Sequence, residues 1–138
     1  MIIKNPPSPH SNMPAITESM IKELVYNFYE EVRNDDLIGN IFEKIIDGNW
    51  DEHLSRMCDF WSSIILSTAR YKGQPLLKHL NIPNLNQEHF LRWLHIFEKH
   101  AYNIFPKDVA LSFVHKAYRI ANNLMLGIEF HNKNLNLL

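Results

Sequence analysis

Apolar residues recur along this chain at three- and four-residue intervals, as in helices that each bury one face. Ile21, Leu24, Val25, Phe28, Tyr29 and Val32 form the first stripe, with Thr17 at the N-cap position and Asn34-Asp35-Asp36 ending the run. A shorter helical piece follows over Ile38 to Ile46 and breaks at Asp47-Gly48. Asn49 then caps a third helix, with Glu52 placed to reach back in a capping box. That helix carries Trp50, Leu54, Met57, Trp61, Ile64 and Ile65 on one face. Ser67 to Gln74 read as a loop. Pro75 suits the first position of a short helix, where no N–H is needed, and Leu76, Leu77, His79 and Leu80 follow before Pro83 stops it. Asn86 caps the next helix, with Phe90, Trp93, Leu94, Phe97 and Ala101 along its face and an end near Phe105-Pro106. The last helix shows Ala110, Phe113, Val114, Ala117, Ala121, Leu124 and Met125, with Gly127 as its C-terminal cap. No alternating run competes, so the predicted fold class is all-α.

Length and composition narrow the picture. A chain of 138 residues makes one domain, long enough to bury roughly two-thirds of its unfolded surface. Hydrophobic residues at 46% and charged ones at 21% are ordinary globular usage. A net charge of −1 excludes the clustered basic footprint of a nucleic-acid binder. No apolar run reaches the roughly 18 residues of a membrane span. The Pro-rich start, residues 1–14, is expected to be a disordered leader, residues 15–127 the folded domain, and 128–138 a flexible polar tail. One cysteine, Cys58, excludes an internal disulfide framework and a Cys-rich metal site. A reducing cytoplasm is the simplest compartment, and mostly polar exposed positions favour a monomer.

Candidate chemistry centres on Tyr71-Lys72-Gly73-Gln74-Pro75-Leu76-Leu77-Lys78-His79, which delivers one histidine shortly after a loop break. From position alone His79 is equally a surface histidine on a short helix. Tyr29 falls among apolar positions, so its hydroxyl, if buried, needs a partner. His89, His95, His100 and His115 show no metal pattern. His95 and His100 lie roughly 140° apart round a helix, which disfavours a zinc peptidase. Cys58 has nothing nearby to activate it as a nucleophile.

Several segments taken together resemble one family. Phe28-Tyr29-Glu30-Glu31-Val32-Arg33, Trp50-Asp51-Glu52-His53, Phe60-Trp61, the Tyr71 to Leu76 run with His79, and Trp93-Leu94-His95-Ile96-Phe97 match, in order and spacing, the group III truncated haemoglobins of bacteria. The resemblance spans roughly residues 17 to 126. It implies a two-over-two helical sandwich around one haem b, held non-covalently, since no Cys-x-x-Cys-His sequence is present.

The resemblance also implies roles. His79 would be the proximal iron ligand, its second ring nitrogen bonded to a backbone carbonyl. Tyr29 would donate a hydrogen bond to a diatomic ligand on the distal side, and Trp93, a donor only, would do the same. His53 would be a gate or second polar group, pointing either in or out. Met57 would be an apolar wall, Phe28 and Phe97 core or pocket wall, and Lys78 a partner for a haem propionate.

Three functions of different classes follow from this sequence. The first is a haem protein that reversibly binds dioxygen, carbon monoxide and nitric oxide, its polar pocket favouring tight holding over transport. The second is haem-dependent detoxification of nitric oxide or peroxide. It needs a separate reductase, because no Gly-x-Gly-x-x-Gly nucleotide motif is present. The third is a cofactor-free interaction module in which Tyr29, Trp93 and His79 are only core residues.

Overall fold

The computed structural model describes residues 15–136. Six helices make up the chain there: α1 (Glu18–Arg33), α2 (Gly39–Ile46), α3 (Trp50–Leu66), α4 (Pro75–Leu80), α5 (Gln87–Ile104) and α6 (Lys107–Asn136), with no strand among the described residues. The leader expected over 1–14 lies outside the described residues.

Local chemistry explains several of the helix ends. The Thr17 hydroxyl accepts from the Met20 N–H at 3.2 Å, satisfying one of the orphan donors of the first turn. Asn86 Oδ1 accepts from the Glu88 N–H at 3.0 Å, while His89 Nδ1 accepts from the Asn86 N–H at 3.1 Å, closing a reciprocal cap. Asp47, left-handed at φ 48°, closes α2 ahead of Gly48 at φ 85°.

Two expectations are corrected. Asn49 stands at the N-cap of α3, but its side chain makes no cap bond, and Glu52 instead pairs with Arg56 one turn on at 2.9 Å. Nor does Gly127 end the last helix, which continues to Asn136. The residue instead sits where α6 packs closely on α4. A Cβ at position 127 would come within 2.5 Å of Leu76 Cδ1 on α4, and the next residue, Ile128, is buried. The stretch expected as a flexible tail from 128 is therefore helical through 136; residues 137–138 lie outside the described residues.

Four long helices form two layers. α1 packs on α3 and α5, α5 pairs with α6, and the short α2 and α4 rest on α1 and α6 respectively. The core between the layers is filled by Leu24, Val32, Ala101, Ala110, Phe113 and Ala117, all fully buried. Across it runs an aromatic stack: Trp93 lies parallel to Phe97 at 5.5 Å, and Phe97 lies on Trp61 at 4.8 Å. Such pairs add about 0.5–1.5 kcal/mol each beyond the area they bury.

The loop leading into α4 is tied down. Arg70 donates to the buried Ser62 hydroxyl at 2.7 Å and pairs with Glu18 and with Asp59. Tyr71 N–H donates to the Ser63 hydroxyl at 2.9 Å. These bonds fix the loop to α1 and α3 just where the chain turns to deliver His79.

Candidate functional site

Between the layers lies a cavity of about 460 Å³, within the roughly 300–1,000 Å³ of small-molecule and cofactor sites. Its walls are mostly aliphatic and aromatic. Of the residues singled out from the sequence, Tyr29, His53, Met57, Lys78, His79 and Trp93 line it. These six come from four helices, and with Phe42 of α2 and Leu124 of α6 all six helices meet at one space.

Phe28 and Phe97 do not line the cavity. Both are almost completely buried, at 2% and 1% exposure, and they stand behind the wall. Phe28 meets Tyr29 edge-on at 4.8 Å and Trp93 at 5.5 Å. Being fully apolar, both were drawn into the core rather than left at its edge. Their contribution is to fix the rings in front of them.

His79 enters from α4. Its Nδ1 is 2.6 Å from the carbonyl oxygen of Pro75, one turn back. A carbonyl only accepts, so Nδ1 carries the proton of this bond, and in the neutral ring the lone pair lies on Nε2. Phe90 is its aromatic neighbour, with ring centroids 6.4 Å apart.

The other polar groups cluster away from α4. The rings of Tyr29 and His53 meet edge-to-face at 4.8 Å, and Phe42 and Trp50 complete the packing around them. Burial pushes the Tyr29 hydroxyl well above its ordinary pKa, with hydrogen bonding to Trp93 working against that rise. Tyr29 is therefore a phenol, a donor, at every relevant pH. His53 points inward. Among the described residues its Nε2 is the buried side-chain nitrogen without a hydrogen-bond partner. Desolvation, helped by the charges of Arg56 and Lys78, pushes its pKa down to about 4. A neutral imidazole with an unmet nitrogen facing a cavity calls for a ligand there, since an unsatisfied buried polar group is costly.

Several lining residues were not singled out from the sequence. Tyr71, Phe42, Phe60 and Phe90 form aromatic wall, and Arg56 joins Lys78 as a second cation. His89 also lines the cavity while capping α5. A periodicity argument places such residues on an inward face but does not separate cavity wall from solid core. Among the described residues, no group of His, Cys, Asp and Glu forms a metal-binding cluster, and no helix is long and apolar enough to cross a membrane.

Comparison with known proteins agrees with this geometry. The chain is 35% identical over 111 residues to the group 3 truncated hemoglobin ctb of Campylobacter jejuni, covering 78% of this chain and 87% of that one. The crystal structure of a group III truncated hemoglobin from Campylobacter jejuni matches with a TM-score of 0.78 at 33% identity, over 83% of this chain and 92% of the other. No protein-family model matches the chain.

Proposed function

This chain belongs to the group 3 truncated haemoglobins, globin-type haem proteins that bind gases, and from that premise we propose that it holds one haem b non-covalently and binds dioxygen, carbon monoxide and nitric oxide reversibly. The observation that carries the reading is the pairing of a free His79 Nε2 with an unmet His53 Nε2 on the walls of one apolar cavity. A packed, cofactor-free module would fill that space and partner that nitrogen.

Bound haem would supply an iron centre able to take an imidazole ligand and a diatomic gas. The chain's own residues do the rest. His79 presents its lone pair, and the Pro75 carbonyl holds the ring orientation and tautomer. Tyr29 and Trp93 donate hydrogen bonds, and neither acts as a base. Met57 and the surrounding aliphatic groups exclude water. Lys78 and Arg56 are cations on the cavity lining, suited to the cofactor's two carboxylates.

A second reading, detoxification of nitric oxide or peroxide with electrons from a separate reductase, draws on His53. Held neutral by burial, it is the one member of the Tyr29, Trp93 and His53 cluster that accepts a proton. We place the protein in the cytoplasm as a monomer, on its lone cysteine and its largely polar exposed positions.

Absorption spectra of the purified protein as isolated, reduced, and reduced under carbon monoxide test the haem reading. A strong Soret band that shifts at each step is the expected result. A featureless spectrum after haem has been supplied would return the chain to the interaction-module reading.

A further inference from the structure

The short helix α2 forms part of the cavity's boundary. Ile38, Ile41, Phe42, Ile45 and Ile46 all line the cavity, yet Ile45 is 52% exposed. The last turn of α2 is thus a thin wall with the cavity on one side and solvent on the other. Phe42, on the same turn, approaches Tyr29 at 5.8 Å and His53 at 6.5 Å between ring centroids.

The two ends of α2 are held very differently. At the start, Asp35 accepts from the N–H groups of Leu37 and Ile38, each at 3.0 Å, and receives Arg92 of α5 at 2.7 Å. Gly39 lies so close to α1 that a Cβ there would stand 2.8 Å from the Arg33 carbonyl oxygen. That end is pinned through the backbone. The other end runs into Asp47 and Gly48, both at positive φ, a joint with no side-chain brace of its own. Besides the burial of Ile46, what holds it is Glu43. One carboxylate oxygen accepts from Arg33 Nε at 3.1 Å, the other from the Trp50 indole N–H at 3.2 Å, and the Arg33 guanidinium lies over the Trp50 ring at 4.4 Å. One side chain therefore ties α2 to the end of α1 and the start of α3 together.

We propose that Glu43 is a positioning residue that latches the free end of α2 over the Tyr29–His53 side of the cavity and so sets how fast a diatomic ligand enters, an inference that rests on the gas-binding reading above. Glu43 does not line the cavity and touches no ligand; it acts through Phe42 and Ile45. With the latch released, α2 swings from its Asp35 end and the thin wall opens.

The test uses the full-length holoprotein. Amide hydrogen exchange over Ile41 to Ile46 and the carbon monoxide association rate after flash photolysis are measured for wild type, Glu43→Ala and Trp50→Phe. Loss of one partly exposed ion pair and one hydrogen bond to a charged acceptor should speed both by about two- to tenfold in Glu43→Ala. Trp50→Phe keeps the ring under Arg33 but loses the donor, and should fall between. Glu43→Gln, which keeps an acceptor for Trp50, should recover part of the wild-type rate. Soret positions should not move. Unchanged exchange and unchanged association rates in Glu43→Ala would overturn the latch, and if that variant does not fold, the same result in Trp50→Phe does so. Should the wild-type chain take up no haem, the gas-binding reading fails, while α2 exchange alone still decides whether Glu43 holds the helix.

Discussion

His79 Nδ1 lies 2.6 Å from the carbonyl oxygen of Pro75, a side-chain bond spanning one turn of a six-residue helix. A carbonyl oxygen has two lone pairs, so Pro75 at the head of the helix can accept from the imidazole one turn on. The bond fixes the orientation of a ring that lines the cavity. His79→Gly should lose the Soret band, and added imidazole should restore it by occupying the vacated ring position. Spectra with and without imidazole check this.

Tyr29 is buried and kept protonated, so it serves only as a donor toward a bound gas. Dioxygen takes on partial negative charge when bound, and a hydrogen bond to a charged group is worth about 1.5–3 kcal/mol. Tyr29→Phe should therefore speed dioxygen dissociation about 10- to 150-fold, read by stopped flow. Carbon monoxide, which gathers less charge, should respond less to the same change.

His53 gives the fold an acid-sensitive element. Above pH 6.5, its ordinary pKa, the folded and unfolded chains both hold it neutral and it contributes no pH dependence. Between 6.5 and about 4, its depressed value in the fold, the unfolded chain takes up a proton that the folded pocket refuses. Stability therefore falls as pH drops through that window and levels off below it. His53→Phe should show a flatter urea midpoint between those limits than wild type. Glu31, whose pKa is lowered chiefly by its bond to Lys99, weakens both proteins alike at the acid end, so the difference between them isolates His53.

Gly127 is predicted to tolerate alanine and not valine. Alanine gains about 1 kcal/mol of helix propensity over glycine, offsetting a clash with the tip of Leu76, which is 39% exposed and has room to turn. Valine adds branched bulk against α4, with an overpacking cost of about 1–3 kcal/mol. Thermal denaturation of the two variants should separate them, and Gly127→Val should also weaken haem retention, because Leu76 sits on the helix that carries His79.

Much of this fold was legible in the residues. Thr17, Pro75 and Asn86 mark helix starts by chemistry that acts within one turn, and the apolar stripes place α1, α3, α5 and α6 directly. What was not legible depends on partners distant in the chain. Gly127 reads as a cap until Leu76, some fifty residues earlier, is seen against it. Asn49 with Glu52 has the form of a capping box, yet Arg56 competes for the carboxylate. Phe28 and Phe97 carry the same signal as wall residues, and only packing decides that Tyr71 and Phe90 face the cavity instead. The association of Tyr29, His53, Trp93 and His79 came from family resemblance; spacing alone placed Tyr29 and Trp93 on inward faces, His53 beside one, and left His79 as readily on the surface.

One asymmetry in the frame bears on how the protein is loaded. Tyr29, His53 and Trp93 stand on helices of sixteen to eighteen residues that are braced by one another. α4 has six residues and no side-chain cap, too short to persist alone in water, and it rests on α6. One side of the vessel is masonry and the other a door. In the haem reading proposed above, His79 on that short helix would be the ring that holds the iron. Escape of the cofactor would then be coupled to fraying of α4, and the lifetime of the holoprotein would depend on the seating of one short helix as well as on the distal pocket.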